Sequence, residues 1–404
     1  MSWVQSTLSE VADIFSGYAF KSADMNSEGG TPLIKIKNIA DSAVSHECDA
    51  FLNKDFNLAK FERFHLLRDD FLVAMTGQGS VGRIGKMRDY KPGFYVNQRV
   101  AIVRVNPEKA NPVFIFYQIA TRSNELELFK KANGAGQPNI SAKQIGELPV
   151  VLPSTEQQQY IADVLSSYDD LIENNQKQIK LLEEAAQRLY KEWFVDLRFP
   201  GHETTPIVDG IPEGWKLSTV DACSAILRRG ISPKYNEEGP SVVINQKCIR
   251  QSVVDLREAR RQEKSFAEEM NLADSDTVIC STGAGTLGRV GQVFGEFPHT
   301  TFDSHVTLAR ASEDVGKQYL YQFLKSKQEY LQGMGKGSTN QLELSRSTIQ
   351  EIPVLVPDCT MREMFEQQAQ RIHDKIAVLS KQIAFLCETR NMLLPKLMSG
   401  EIEV

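Results

Sequence analysis

TGQGSVGRIG, residues Thr76 to Gly85, is the stretch on which the fold turns. Its Gly77, Gly79 and Gly82 have the G-x-G-x-x-G spacing of a dinucleotide-binding loop. Such a loop works because its glycines open a helix that faces a pyrophosphate, with an acidic residue about 20 positions on for the ribose. Here the glycines are followed by Arg83-Ile84-Gly85-Lys86-Met87, which alternates apolar and polar, and preceded by the strand-like FLVAM of Phe71 to Met75. Strand, glycine loop, strand is a hairpin. TGAGTLGRVG (Thr282 to Gly291) repeats the pattern between TVICS (Thr277 to Ser281) and a second alternating run through Phe294. One cofactor rarely needs two such loops, so the doubling points to an internal duplication.

The repeat extends in both directions. Trp3-x-x-Ser6-Thr7-Leu8 returns as Trp215-x-x-Ser218-Thr219-Val220, each followed by a glycine, Gly17 and Gly230. TPLIKIKNI (Thr31 to Ile39) answers PSVVINQKCI (Pro240 to Ile249), and Asp70 and Asp276 open the strand before each glycine loop. NQRVAIVRV (Asn97 to Val105) answers DSHVTLARA (Asp303 to Ala311), and ISAKQIGELPVVLP (Ile140 to Pro153) answers LSRSTIQEIPVLVP (Leu344 to Pro357).

Each copy then leads into a predicted helix. Ser154-Thr155-Glu156-Gln157 and Thr360-Met361-Arg362-Glu363 both have the form of a capping box. In the first helix, Ile161, Leu165, Tyr168, Ile172, Asn175, Ile179, Leu182, Ala186, Leu189 and Trp193 follow in alternating steps of four and three. In the second, Phe365, Ala369, Ile372, Ile376, Leu379, Ile383, Leu386, Arg390, Leu393 and Leu397 keep the same rhythm. These are heptad seams on helices that would reach roughly 60 Å, and each is the obvious partner of the other. Asn175 and Arg390 are the polar exceptions, suited to fixing register, and Pro395 should end or kink the second helix. Between the halves, RFPGHETTPIVDGIPEGW (Arg198 to Trp215) has a linker's composition.

The net charge of −6 argues against a polyanion partner until it is divided along the chain. Residues 1–150 carry 18 Lys+Arg against 16 Asp+Glu, residues 215–357 carry 17 against 17, and residues 151–214 carry 5 against 12. The acidity belongs to the connector, which leaves both modules free to hold local basic patches. Cys48, Cys223, Cys248, Cys280, Cys359 and Cys387 show no C-x-x-C and no histidine at ligand spacing, so reduced thiols are expected and neither zinc nor a disulfide framework. No run is apolar enough to span a bilayer and the N-terminus lacks a signal-like segment, so a soluble cytoplasmic protein is expected.

The expected architecture is therefore α/β (α+β): two tandem modules joined by two long antiparallel coiled-coil helices with pseudo-twofold symmetry. A twofold pair of readers suits duplex DNA, where half-site spacing mirrors protein geometry. Side chains able to reach base edges or phosphates are, in the first copy, Lys35, Lys37, Asn38, Thr76, Gln78, Ser80, Arg83, Asn97, Gln98, Arg99, Gln137 and Asn139. In the second they are Asn245, Gln246, Lys247, Thr282, Thr286, Arg289, Ser304, His305, Asn340 and Gln341. Gln78 aligns with Ala284 and Arg99 with His305, so the scaffold repeats while the presumed reading residues do not. An asymmetric target would follow.

At this point the residues resemble a known family, the specificity subunits of type I restriction-modification systems, over essentially the whole chain. The most specific stretches are Leu152 to Gly201 (LPSTEQQQYIADVLSSYDDLIENNQKQIKLLEEAAQRLYKEWFVDLRFPG), IPEGWK (Ile211 to Lys216) and RNMLLPKLMSGEIEV (Arg390 to Val404). The resemblance implies a first target recognition domain over residues 1–152, a central helix over 153–198 and a linker over 199–214. A second recognition domain over 215–357 and a distal helix with its tail over 358–404 complete it. It also implies double-stranded DNA, methyltransferase (modification) subunits and restriction subunits as partners, with the helices setting an unread gap between two half-sites. A related methyltransferase or bifunctional type II system without a separate nuclease subunit is the alternative.

The residues offer little for catalysis by the chain itself. Asn111-Pro112-Val113-Phe114 approaches the (N/D)-P-P-(Y/F) site of an adenine methyltransferase but lacks the second proline. Asp69-Asp70 and Asp169-Asp170 are carboxylate pairs without an associated lysine, and the six histidines stand near no repeated nucleophile pattern. A non-catalytic subunit without a cofactor is expected, with S-adenosylmethionine and ATP used by its partners.

Overall fold

A computed structural model of the chain describes residues 3–132, 138–250, 252–283, 285–335 and 342–402. It divides into two units, one of residues 1–171 with 386–404 and the other of residues 172–385. Each unit thus holds one module and a portion of both long helices.

In the first unit, six strands lie in the order Ala12–Ser16, Val100–Val105, Phe71–Ala74, Ile84–Lys86, Ser42–Val44, Ile39–Ala40. In the second the order is Ser224–Arg229, Val306–Ala311, Thr277–Cys280, Val290–Gln292, Val253–Val254, Ile249–Arg250. The two sheets are the same sheet written twice. The hairpin reading holds in both copies: Phe71–Ala74 pairs antiparallel with Ile84–Lys86, and Thr277–Cys280 with Val290–Gln292. The first strand of each module returns to meet its last, Val4–Thr7 on Pro149–Leu152 and Lys216–Thr219 on Pro353–Val356, both antiparallel. Because leading and closing strands are neighbours, each module delivers the chain directly into its helix.

The carboxylates that open the central strands are structural. Asp70 accepts from Nε and Nη2 of Arg104 at 2.9 and 2.7 Å, and Asp276 accepts from Nε and Nη2 of Arg310 at 2.7 and 2.6 Å. Both aspartates are buried. Asn111, in the segment that approached a methyltransferase motif, caps the helix Pro112–Ile119 by accepting from Val113 N and Phe114 N.

The long helices are Thr155–Tyr190, 36 residues, and Cys359–Ser399, 41 residues. Ser154 caps the first as expected, accepting from Gln157 N while the Gln157 side chain accepts from Ser154 N. The second starts earlier than its capping-box pattern suggested. Asp358, directly after Pro357, accepts from Met361 N at 3.0 Å and takes the role expected of Thr360. Nor does Pro395 end this helix, which continues to Ser399. A proline inside a helix forgoes one backbone hydrogen bond and crowds the carbonyl four residues before it, but the final turn is held by Leu393, Leu394, Leu397 and Met398 packing into the first module.

In the first unit, Ile161 and Leu165 of the first helix share the module core with Leu393 and Leu397 of the second, and Leu386 is half-buried. The polar exception Arg390 donates to Asp169, which also pairs with Arg88 at 3.2 Å and accepts from Tyr117 Oη at 2.7 Å. In the second unit, Ile179 and Leu182 pack with Ile372, Ile376, Leu379 and Ile383, and Ile172 is buried. Asn175 there donates to Gln382 Oε1 at 3.3 Å. Beyond Tyr190 a π-helical turn, Lys191–Val195, carries Trp193 and Phe194 into the core built around Phe365, Tyr319 and Trp215, which Leu189 also joins. His373 is likewise architectural: buried, stacked on Phe294, with Nδ1 3.0 Å from Gln292 Oε1 and Nε2 3.2 Å from Asp274.

Candidate nucleic-acid interface

In the first module three segments meet at the glycine hairpin. Met75 N donates to Arg99 O and Ile140 N to Met75 O, both at 2.9 Å, while Thr76 bridges Asn139. Asn97 N donates to Ile34 O, which brings the end of the strand Thr31–Ile34, and hence Lys35, to the same place. The second module repeats this with Ser281 N on His305 O, Leu344 N on Ser281 O, Thr282 bridging Glu343, and Asp303 N on Ile244 O just before Asn245.

Why three glycines recur in each hairpin is visible in their surroundings. All six have positive φ. A Cβ on Gly82 would stand 2.7 Å from Glu125 O and one on Gly288 2.6 Å from Gln332 N, so the third glycine lets a helix lie against the loop. A Cβ on Gly79 or Gly285 would meet nothing within 4 Å. The middle glycine is therefore a turn former on open surface, where another molecule can approach the backbone. The fourth position of each loop locks it, through Ser80 Oγ on Thr76 O and Thr286 Oγ1 on Thr282 O, each at 3.0 Å.

The candidates divide by what their side chains already do. Gln78, Gln98, Arg99 and Asn139 are exposed around the convergence, and Lys35, Thr76, Arg83 and Asn97 are half-buried in it. Lys37 is exposed but paired with Asp49. Asn38 is buried, accepting from Lys35 N at 2.9 Å and donating to Glu47 O at 2.7 Å, so its amide shapes the turn and has no free edge. In the second module Lys247 and His305 are exposed, and Gln246, Thr282, Thr286 and Ser304 half-buried. Asn245 caps its turn by accepting from Lys247 N and donating to Glu258 O. Arg289, unlike Arg83, is tied to backbone, donating to Ile249 O and Gly285 O. Gln137, Asn340 and Gln341 lie outside the described residues.

Three side chains at the convergence escaped the sequence reading. Tyr18, 39% exposed, bridges Asn97. Glu343 occupies in the second module the place of Asn139, and Arg229 donates to it. The repeat carried the signal for Glu343: the register that aligns Ile140 with Leu344 puts Asn139 on Glu343, whereas choosing by residue type led to Asn340 and Gln341.

Elsewhere the described residues hold no group of three or more His, Cys, Asp or Glu that could bind a metal ion, and no helix among them is long and apolar enough to cross a membrane. The cysteines form no disulfides, and burial pushes the thiols of Cys248 and Cys280 up to about 11 and about 12.

The chain thus carries two copies of one sheet, each with a polar convergence beside an open glycine turn, and it is similar to known proteins of the DNA-specificity class. Residues 1–184 match the family described as "Type I restriction modification DNA specificity domain". The MjaIX type I restriction enzyme specificity subunit of Methanocaldococcus jannaschii is 25% identical over 299 residues, 72% of this chain and 69% of that one. The HindI specificity subunit of Haemophilus influenzae is 23% identical over 385 residues, 76% of this chain and 81% of that one. The crystal structure of a type I restriction-modification S subunit from M. genitalium shares the fold, with a TM-score of 0.57 over 98% of this chain and 96% of that one at 18% identity. Residues 1–184 thus carry this DNA specificity domain, and the chain as a whole is similar to specificity subunits of type I restriction-modification systems.

Proposed function

We propose that each module reads one half of a bipartite, asymmetric sequence in double-stranded DNA. The carrying observation is the pair of convergences: the same backbone bonds in both modules frame Gln98, Arg99 and Asn139 in one and Ser304, His305 and Glu343 in the other. Arginine suits guanine and asparagine suits adenine, whereas a carboxylate suits neither pattern, so different half-sites follow.

Methylation, and cleavage where a restriction subunit is present, belong on this reading to partner subunits that bring S-adenosylmethionine and ATP to the complex in the cytoplasm. Met364, Val378 and Phe385 support docking of methyltransferase subunits on the helices, since these exposed apolar residues of the second long helix are spaced by multiples of seven. Such a stripe marks a face suited to another helix.

The test is to co-express the chain with its methyltransferase subunit and sequence the DNA for newly methylated adenines. A two-part sequence with a fixed unread gap is expected. Exchanging residues 1–150 for the corresponding module of a related subunit should change one part only. A single uninterrupted sequence, or a swap that alters both parts, would refute the reading.

A further inference from the structure

We propose that Glu343, held by Arg229, is a base-reading residue of the second module and that it selects an exocyclic amine, specifically N4 of cytosine. The inference rests on the DNA-reading function above and goes further by naming a residue and a base.

Glu343 bridges Thr282 at the mouth of the second glycine hairpin, as Asn139 bridges Thr76 at the first. Its side chain is 55% exposed, while that of its partner Arg229 is 29% exposed. Arg229 is in turn fixed to the turn beside it, with Nε donating to Ser304 O at 2.7 Å. The equivalent residue of the first module is Ser16, since Arg229 pairs with Thr307 as Ser16 pairs with Ala101 at the same place in the sheet. The arginine and the glutamate thus occur together in one module, where the other has serine and asparagine. His305 completes the group, with Nδ1 2.6 Å from Thr282 Oγ1.

A carboxylate on a surface that approaches phosphates is repelled unless a donor awaits it. Arg229 offsets the charge and restricts the rotamers, so the carboxylate is presented already oriented. In the major groove guanine shows two acceptors, thymine an acceptor and a methyl, and adenine a donor flanked by the N7 acceptor, which would face the second carboxylate oxygen. Cytosine shows the N4 donor with no acceptor at its side. Among the four bases, cytosine alone offers the carboxylate a donor without an opposing acceptor.

The test uses the whole complex with its methyltransferase subunit, mapping methylated sequences for the parent chain, Glu343→Gln and Arg229→Ser. Glutamine matches the donor and acceptor of adenine, so E343Q should lower discrimination for cytosine at one position of one half-site by about ten- to a hundredfold and favour adenine there. R229S should relax the same position without a new preference. Unchanged discrimination in both variants, or changes in the other half-site, would overturn the assignment. Binding of the unmodified complex to duplexes with each cytosine of that half-site replaced in turn by thymine gives a readout independent of any variant's folding. A half-site without cytosine, or one in which no replacement weakens binding, would likewise overturn it. If the parent complex methylates no defined sequence, the DNA-reading function itself has failed, a result distinct from an unchanged site in E343Q.

Discussion

Replacing Asp276 with Asn tests the claim that the carboxylates at the head of the central strands serve the fold. Asp276 is 2% exposed and accepts from Arg310 Nε and Nη2, at 2.7 and 2.6 Å, and from Ala273 N at 2.7 Å. Asparagine keeps the shape and one acceptor but turns an NH2 toward the guanidinium, leaving Arg310 without its counter-charge. Removing one partner of a buried pair costs about 3–5 kcal/mol. Since the Arg310 side chain is itself 25% exposed, water recovers part of the loss, and the low end, about 3 kcal/mol, is expected. For a unit of this size 1 kcal/mol moves Tm by about 2–4 °C, so D276N should lower the melting of the second unit by about 6–12 °C. The equivalent Asp70–Arg104 pair predicts a similar loss for D70N in the first unit. Scanning calorimetry of the full chain reads both. A shift under about 2 °C in either variant would show that the pair is dispensable and that its recurrence needs another explanation.

Three further outcomes follow from the packing. Burial raises the Glu183 carboxyl from its ordinary 4.5 to about 7, against the opposing pull of Lys325, so the folded state holds this proton more tightly than the unfolded chain. Its stabilising contribution is present at acidic pH and lost as the pH rises through about 7; Glu183→Gln should flatten that decline in denaturant midpoints between about pH 5 and 8, and parallel curves would count against it. Ile179→Asp or Ile383→Asp should destabilise the second unit by several kcal/mol, because both residues belong to the seam around Ile376 and Leu379; an unchanged circular-dichroism melt would refute that pairing. Gly285→Ala, at an open position, should cost only the left-handed strain of about 1–2 kcal/mol, whereas Gly288→Ala adds the overlap with Gln332 N; equal losses in the two variants would undo the distinct roles given to these glycines.

How much of this could be read beforehand depended on whether a residue's role was set by the chain nearby or by a distant partner. The strand and hairpin periodicity around both glycine loops is local, and it foretold the pairing of Phe71–Ala74 with Ile84–Lys86 and its repeat. The heptad rhythm named seam positions on each helix but no residue pairs; that Ile179 shares a cluster with Ile376 comes from the folded unit. Boundaries were less legible. An aspartate is as good an N-cap as a threonine, so the capping-box pattern at Thr360 competed with Asp358 and lost. At Pro395 the local rule was outweighed by the apolar contacts of Leu397 and Met398, which only the folded module reveals.

The site was harder to read because one residue type serves two ends. Asn38 and Asn139 are the same side chain, yet one closes a turn with both ends of its amide and the other stands exposed beside the hairpin. Arg83 and Arg289 align, but only the second is bound to backbone carbonyls. The repeat distinguishes these cases better than composition does. Positions whose bonds build the convergence must accept the same geometry in both copies, while positions that face outward are free to differ. Gly79 and Gly285 recur because the turn requires positive φ, and Asn139 and Glu343 diverge because neither side chain is needed to hold the bridge to the hairpin. Under the proposed function, divergence at exposed places within the shared frame ranks Arg99 with His305 and Asn139 with Glu343 as reading positions ahead of the lysines and arginines that a search for positive charge would choose first.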